Sequence, residues 1–215
     1  KPGWQLVAEM TPEQVVECID FRYLTDCITP EEALQLLTKQ AEGKAARLQN
    51  LLAQGYPCYT TSAGWLGYSE EKLARLCQEA VDDGFNYIKL KVGRNLEEDK
   101  RRVQIARDII GPDRNLMIDA NQIWERDEAI AWVKELAFAK PWFIEEPTSP
   151  DDVEAHRAIR EAIKPIQVAT GEMCQNRIMF KQFIMREAID VVQIDACRMG
   201  GVNEVLAVLL MAAKY

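Results

Sequence analysis

The run Tyr87-Ile88-Lys89-Leu90-Lys91-Val92 decides the reading of this chain. Its apolar, β-branched and aromatic content is that of a strand, yet it carries two lysines two residues apart. Residues i and i+2 of a strand share a face, so Lys89 and Lys91 point the same way. A helical pattern follows, with Val103, Ala106, Ile109 and Ile110 at helical spacing and Gly111-Pro112 as its stop. Another precedes it: Leu73, Leu76, Cys77, Ala80 and Val81 form one stripe that ends at Gly84, a residue suited to closing a helix.

The same alternation extends outward from residue 57. Strand-like runs at Cys58–Ser62, Tyr87–Val92, Leu116–Ala120, Trp142–Glu145, Ile166–Thr170 and Val191–Asp195 each end in polar residues and lead into a helical pattern. Asp127 is expected to cap the third helix and Pro150 to open the fourth. Alternating β and α with short connections implies a parallel sheet with right-handed crossovers. A closed barrel and a doubly wound open sheet both fit. No GxGxxG or GxxxxGK[ST] motif follows any strand, which counts against the nucleotide-binding open sheets. The fold class is α/β over residues 57–215, with the barrel weakly favoured over the open sheet; the resemblance that follows implies a partial (β/α) barrel of about six of the eight strand–helix units. Residues 1–56 differ. Thr11–Tyr23 fits either a strand or a helix, Pro30–Lys39 and Ala45–Leu52 look helical, and the region reads as a lead-in or insertion.

Bulk properties narrow the function. A hydrophobic content of 48% is ordinary for a protein with a real core. A net charge of −8 argues against nucleic acid and against anionic membrane surfaces. No run of about 18 apolar residues is present, and no signal peptide. The six cysteines show no CxxC pair and no zinc-ligand spacing, which implies reduced, mostly buried thiols in an intracellular protein, cytoplasmic or mitochondrial. The chain begins at Lys1 rather than Met, which suggests a fragment or a processed product.

Charge recurs at the strand ends. Successive intervals between Lys91, Asp119, Glu145, Glu172 and Asp195 are 28, 26, 27 and 23 residues. One strand–helix unit takes about that many, since about 250 residues make eight. Each group then falls at or just past the C-terminal end of a strand, where the active sites of barrels lie. A single such carboxylate is most often a helix cap or a solvated turn residue. Three in succession would repel one another and take up protons unless a cation were present, and hard oxygen ligands suit Mg²⁺. Of Glu145 and Glu146, which face opposite ways on a strand, the spacing favours Glu145. For the lysines, the alternative is a solvated edge strand. In a parallel sheet covered on both faces, burying two lysines is costly unless they are paired or functional. A cationic neighbour favours the neutral amine, which makes a lysine available as a base. Carboxylate-held metal plus lysine points to one reaction class: removal of the proton α to a substrate carboxylate, with stabilisation of the enediolate.

The segments Lys89-Leu90-Lys91, Met117-Ile118-Asp119-Ala120-Asn121-Gln122, Ile144-Glu145-Glu146-Pro147, Ala169-Thr170-Gly171-Glu172 and Gln193-Ile194-Asp195 together resemble the mandelate-racemase branch of the enolase superfamily. That superfamily pairs a Lys or His base with Mg²⁺. Within it, Cys18-Ile19-Asp20-Phe21-Arg22-Tyr23, Tyr59-Thr60-Thr61-Ser62, the stretch from Glu146 to Asp152 and the stretch from Cys197 to Glu204 are similar to the acid-sugar dehydratases of the L-fuconate type. The resemblance implies Asp119, Glu145 and Glu172 as Mg²⁺ ligands, Lys91 as the base at C2 and Lys89 as support for the carboxylate or enediolate. It implies that Asp195 orients a histidine acid that expels the C3 hydroxyl as water, leaving a 2-keto-3-deoxy sugar acid. Thr61 and Asn121 are candidate substrate contacts beside Lys91. The substrate would be a small sugar acid, L-fuconate or a related aldonate, and assembly into a homo-oligomer is consistent with the family.

The chain departs from that pattern in one respect. Its single histidine, His156, lies in the helical stretch Asp151–Arg160 and reads as a partly exposed helix residue. The family's acid lies on a seventh strand, and Tyr215 falls in the helix after the sixth. The expectation is a chain truncated at both ends, without most of the capping domain, that keeps the metal ligands and base but has little dehydratase activity. A racemase or cycloisomerase on the same site, or an inactive fragment that acts by binding, are the alternatives.

Overall fold

The structure, a computed structural model, describes all of Lys1–Tyr215. In chain order its elements are α1 (Gly3–Glu9), α2 (Pro12–Glu17), α3 (Pro30–Ala41), α4 (Lys44–Gln54), β1 (Thr60–Gly64), α5 (Glu70–Asp82), β2 (Tyr87–Lys91), α6 (Leu96–Ile110), β3 (Asn115–Asp119), α7 (Arg126–Leu136), β4 (Phe143–Glu145), α8 (Val153–Ala162), β5 (Gln167–Thr170), α9 (Arg177–Met185), β6 (Val191–Val192) and α10 (Val202–Lys214). The strands form one parallel sheet in the order β1-β2-β3-β4-β5-β6. Sequential parallel order is what strand–helix repeats with same-handed crossovers produce. No helix is long and apolar enough to cross a membrane.

The chain falls into two compact units. The first comprises Lys1–Tyr56, Gly171–Arg186 and Val192–Tyr215. Its helix starts are written locally. Thr11 and Gln14 form a reciprocal capping box at α2, and Thr29 and Glu32 do the same at α3, each followed by a proline whose missing N–H costs nothing in the first turn. Thr11–Tyr23 thus resolves as the short helix α2 and a following turn. Leu24, Ile28, Phe180, Phe183, Val208 and Met211 are buried in this unit, and the ion pairs Lys181–Asp26 at 2.9 Å and Lys214–Glu32 at 2.8 Å lie at its surface.

The second unit comprises Pro57–Thr170 and Glu187–Val191. Here strand alternation sets two faces. Ile88 and Leu90 of β2, Leu116 and Ile118 of β3, Ile144 of β4 and Val168 of β5 are all fully buried on one face. Leu73 and Cys77 of α5, Val103 and Ala106 of α6, Val133 of α7 and Ile159 of α8 are equally buried, so the helices cover that face. Each such Leu or Ile contributes about 1.5–3 kcal/mol through burial. The opposite face carries Met117, Phe143 and Ala169 as an apolar layer flanked by Tyr87 and Val191. Above that layer come the charged strand ends.

Several local expectations shift. β1 covers Thr60–Gly64 rather than Cys58–Ser62. Gly64 lies so close to β2 that a Cβ there would stand 2.3 Å from the Lys89 carbonyl oxygen, so glycine lets the strand run past Ser62. β6 keeps only Val191–Val192 of the expected Val191–Asp195. Beyond it the chain turns, because the Asp195 carboxylate accepts the Cys197 N–H at 2.8 Å and the Asp195 carbonyl accepts from Arg198 and Met199. α7 is entered at Glu125, and Asp127 sits in its first turn, where a negative charge still suits the helix dipole, rather than at the cap. α8 opens at Val153, not Pro150, because Asp152 caps it by accepting the Ala155 N–H at 2.8 Å. The six cysteines form no disulfide with one another, but only Cys27, Cys77 and Cys174 are buried. Gly84 does close α5: with φ +85° it lets Phe85 N–H reach Ala80 and its own N–H reach Val81.

In the first unit Gly171 has φ +139°, and a Cβ there would stand 2.2 Å from the Gln193 carbonyl oxygen and 2.7 Å from the Phe180 ring. Backbone strain and overpacking then act together, so Gly171→Ala is expected to lose about 2–5 kcal/mol in equilibrium urea unfolding. A loss below about 0.5 kcal/mol, the usual range of a surface change, would show that this approach is not obligatory.

Candidate active site

Register builds the site. Lys91 of β2 pairs with Asp119 of β3, Asp119 with Glu145 of β4, and Glu145 with Ala169 of β5, so three charged groups occupy one row across the carboxyl ends of adjacent strands. Lys89, one layer down on the same face, reaches up into that row. Its Nζ donates to Glu145 Oε2 in a short contact and stands 3.1 Å from Asp119 Oδ2. Lys91 Nζ donates to the same Asp119 oxygen at 2.5 Å. Asp119 is fully buried, Glu145 and Lys89 nearly so, and Lys91 is 15% exposed in its side chain.

Two ammonium groups thus meet two carboxylates out of water. Burial opposes the charge on Lys89, but Asp119 and Glu145 outweigh it and hold that ammonium above the ordinary lysine range. Lys89 is therefore held as a cation, and Lys91 is the lysine nearer to solvent. Aromatic rings flank both. Tyr59 Oη lies 3.4 Å from Lys89 Nζ, and the Trp65 ring centroid lies 5.7 Å from Lys91 Nζ. Neither ring stood out in the sequence as a site residue, although Tyr59 falls in one of the segments that carried the resemblance.

The loops after the strands are strained. Asn121 and Gln122 have φ +45° and +67°, and Glu146 has φ +43°. Each such residue costs about 1–3 kcal/mol and persists only when its surroundings determine it. Asp119 Oδ1 accepts the Asn121 N–H at 3.0 Å, which holds the first turn beside the carboxylate. Glu146 is fully buried and accepts from Gln122 Nε2 at 2.8 Å, so the second glutamate anchors the β3 loop while the first faces the lysines. Asn121 is exposed at the mouth, and Thr61 is half-buried within β1.

The remaining sequence candidates fall in the other unit. Glu172 is half-buried, in the turn that leaves β5 through Gly171. Asp195 follows β6, and its carboxylate is engaged by the Cys197 N–H. No group of three or more His, Cys, Asp or Glu side chains converges as a metal cage in this structure. His156 is a correction: it is helical as expected but fully buried on α8, with Nδ1 2.9 Å from the Asp152 carbonyl oxygen. Helix periodicity explains this, since His156 neighbours Ala155 and Ile159 on the buried face of α8.

Parallel strand–helix repeats that present a lysine pair and carboxylates from successive strand ends define the (β/α)-barrel class. More particularly, residues 72–215 match the model of the enolase C-terminal domain-like family, and the chain belongs to that family. Its fold is a partial enolase-superfamily barrel. Over its whole length it is 61% identical to L-galactonate dehydratase of Hypocrea jecorina and 53% identical to Homo sapiens mitochondrial enolase superfamily member 1, spanning 49% of each. The crystal structure of that human protein matches with a TM-score of 0.95 over 100% of this chain and 49% of that one. A crystal structure of L-talarate/galactarate dehydratase liganded with Mg and L-glucarate matches at 31% identity with a TM-score of 0.70, over 93% of this chain and 49% of that one. The chain therefore spans about half the length of the curated relatives it matches.

Two measurements follow from the buried charges. Lys89→Met leaves Asp119 and Glu145 with one cation instead of two, and equilibrium unfolding is expected to show a loss of about 3–5 kcal/mol. Burial holds His156 below its ordinary value of 6.5, so the unfolded chain takes up that proton at a higher pH than the fold does. Its contribution is constant above that value and is lost as pH falls below it. Unfolding followed between pH 7.5 and 5 is expected to show this slope, and His156→Phe to flatten it.

Proposed function

We propose that this chain carries the base and carboxylate ligands of a Mg²⁺-dependent acid-sugar dehydratase. The observation that supports this reading is the cross-strand row of Lys91, Asp119 and Glu145 with the Lys89 ammonium drawn between the carboxylates. The names of the relatives point the same way: one is a dehydratase of L-galactonate, another of L-talarate and galactarate. The reading extends to a mitochondrial compartment, on the name the human relative carries.

The fit to the metal rests on the donor set. Asp119 and Glu145 are buried hard-oxygen donors that already hold a cation between them, and Glu172 is the third carboxylate one strand–helix interval on. When bound, Mg²⁺ supplies positive charge for the substrate carboxylate and for the negative charge that develops on it. The chain's own residues supply the rest. Lys91, as the free amine, takes the proton from C2 of an aldonate such as L-fuconate or L-galactonate. Lys89, held as a cation, stabilises the charge that the departing proton leaves behind. Asn121 and Thr61 contact the sugar hydroxyls at the mouth. Loss of the C3 hydroxyl as water would then give the 2-keto-3-deoxy acid; the proton for that step would come from the histidine acid that the resemblance implies and Asp195 would orient, a role that His156, buried on α8, does not fill.

Deuterium incorporation at C2 in D₂O, followed by proton NMR on L-fuconate and L-galactonate, isolates the first step. Exchange is expected with Mg²⁺ and not with EDTA, and Lys91→Met is expected to lower it at least about a hundredfold. Exchange at the wild-type rate in Lys91→Met would sink the reading. Exchange with inversion at C2 and no keto acid would turn it to a racemase.

A further inference from the structure

We propose that Asp99 and Arg102, on the buried stripe of α6, are positioning residues that hold the Lys91 backbone and Trp65 in register with the Asp119–Glu145 pair. The inference rests on the reading of Lys91 as the base. The Arg102 side chain is 2% exposed, and its guanidinium donates to three carbonyls: Lys91 at 2.8 Å, Gly64 at 3.0 Å and Trp65 at 3.1 Å. These oxygens lie at the ends of β2 and β1, where the strand ladder stops. A planar fork with fixed donors holds three such acceptors in a way an ammonium does not. Asp99, 1% exposed, accepts the Gly93 N–H at 2.7 Å and Trp132 Nε1 at 3.1 Å on one oxygen, while its other oxygen faces Arg102 Nη1 at 3.6 Å.

Residues 91 and 93 are thus gripped by two side chains three positions apart on one helix, which lie on the same face. Gly93 is pressed in from the far side. Its φ is +106°, and a Cβ there would stand 2.6 Å from Ile123 Cγ2 and 3.4 Å from the Trp124 ring, which itself packs on Trp132 with centroids 5.3 Å apart. The rest of the stripe is apolar, with Val103, Ala106 and Ile110. Burying an Asp and an Arg there costs stability that an apolar pair would not. What the pair adds is placement of both partners of one contact, since Arg102 holds the backbone of Lys91 and of the tryptophan whose ring stands over it. Supporting groups of this kind set how accurately a reacting group is held.

The test separates placement from stability. With the lysines of the whole chain reductively ¹³C-methylated, the Lys91 resonance, assigned by its loss in Lys91→Arg, is expected to carry a ring-current shift from Trp65. Arg102→Lys keeps the charge and removes the fork, and Asp99→Asn keeps an acceptor for Gly93. Arg102→Lys is expected to lose most of that shift, as Trp65→Leu does, while the other lysine resonances stay. On unmodified protein, C2 exchange in Arg102→Lys and Asp99→Asn is expected to fall in kcat by roughly 10–100-fold with KM nearly unchanged. A retained ring-current shift in Arg102→Lys overturns the proposal. So does a lost shift with wild-type kcat in a protein whose exchange needs Lys91. If wild-type exchange proves independent of Lys91, the functional reading fails, and the Lys91 resonance alone decides whether Arg102 places that lysine.

Discussion

Two lysine ammonium groups sharing one buried aspartate govern the rest of this structure. Asp119 is fully enclosed at the end of β3, and a carboxylate there is tolerable only if cations meet it. Lys89 and Lys91 do so from the neighbouring strand, and Glu145 completes the pairing from the other side. The contact demands strict register: a one-residue slip of β2 would turn both lysines to the face covered by helices. The apolar layer of Met117, Phe143 and Ala169 beneath the charges, and the helix-covered Ile88, Leu90, Leu116 and Ile118, hold that register. Packing energy therefore sustains an arrangement that electrostatics alone would not.

The surroundings of the cluster are arranged for position. Asn121, Gln122 and Glu146 hold positive φ angles, Gly64 admits the β2 backbone, and Gly93 admits the Ile123 and Trp124 side chains, each at a distance that a Cβ would block. Close approaches of this kind need rigid support, and at Gly64 and Gly93 α6 supplies it through Arg102 and Asp99. The stability of the helical layer is thus converted into accuracy at the strand ends, where the proposed proton abstraction would need it.

Membership of the enolase C-terminal domain-like family gives this geometry its chemical context. The 215 residues correspond to about half of each relative, and they contain the lysine pair and all three carboxylates of the proposed site. Within the second unit the lysines, Asp119 and Glu145 form a self-consistent cluster on their own.

Much of this was legible in the order of residues. Strand alternation places Lys89 and Lys91 on one face, and the near-constant interval between charged strand ends places Lys91, Asp119 and Glu145 in one row, because both follow from local periodicity. The capping boxes at Thr11 and Thr29 and the glycine stop at Gly84 are local for the same reason. Other features depend on contacts between residues distant in sequence. His156 is buried only because the packed sheet takes that face of α8, whereas β6 ends early for a local reason, since Asp195 binds its own turn. Arg102 and Asp99 sit on the same stripe as Val103, Ala106 and Ile110, so their burial was readable. That they grip the backbone on either side of Val92 was not, because it depends on three carbonyls, two of them 37 and 38 residues away, that only the packed sheet brings to one guanidinium.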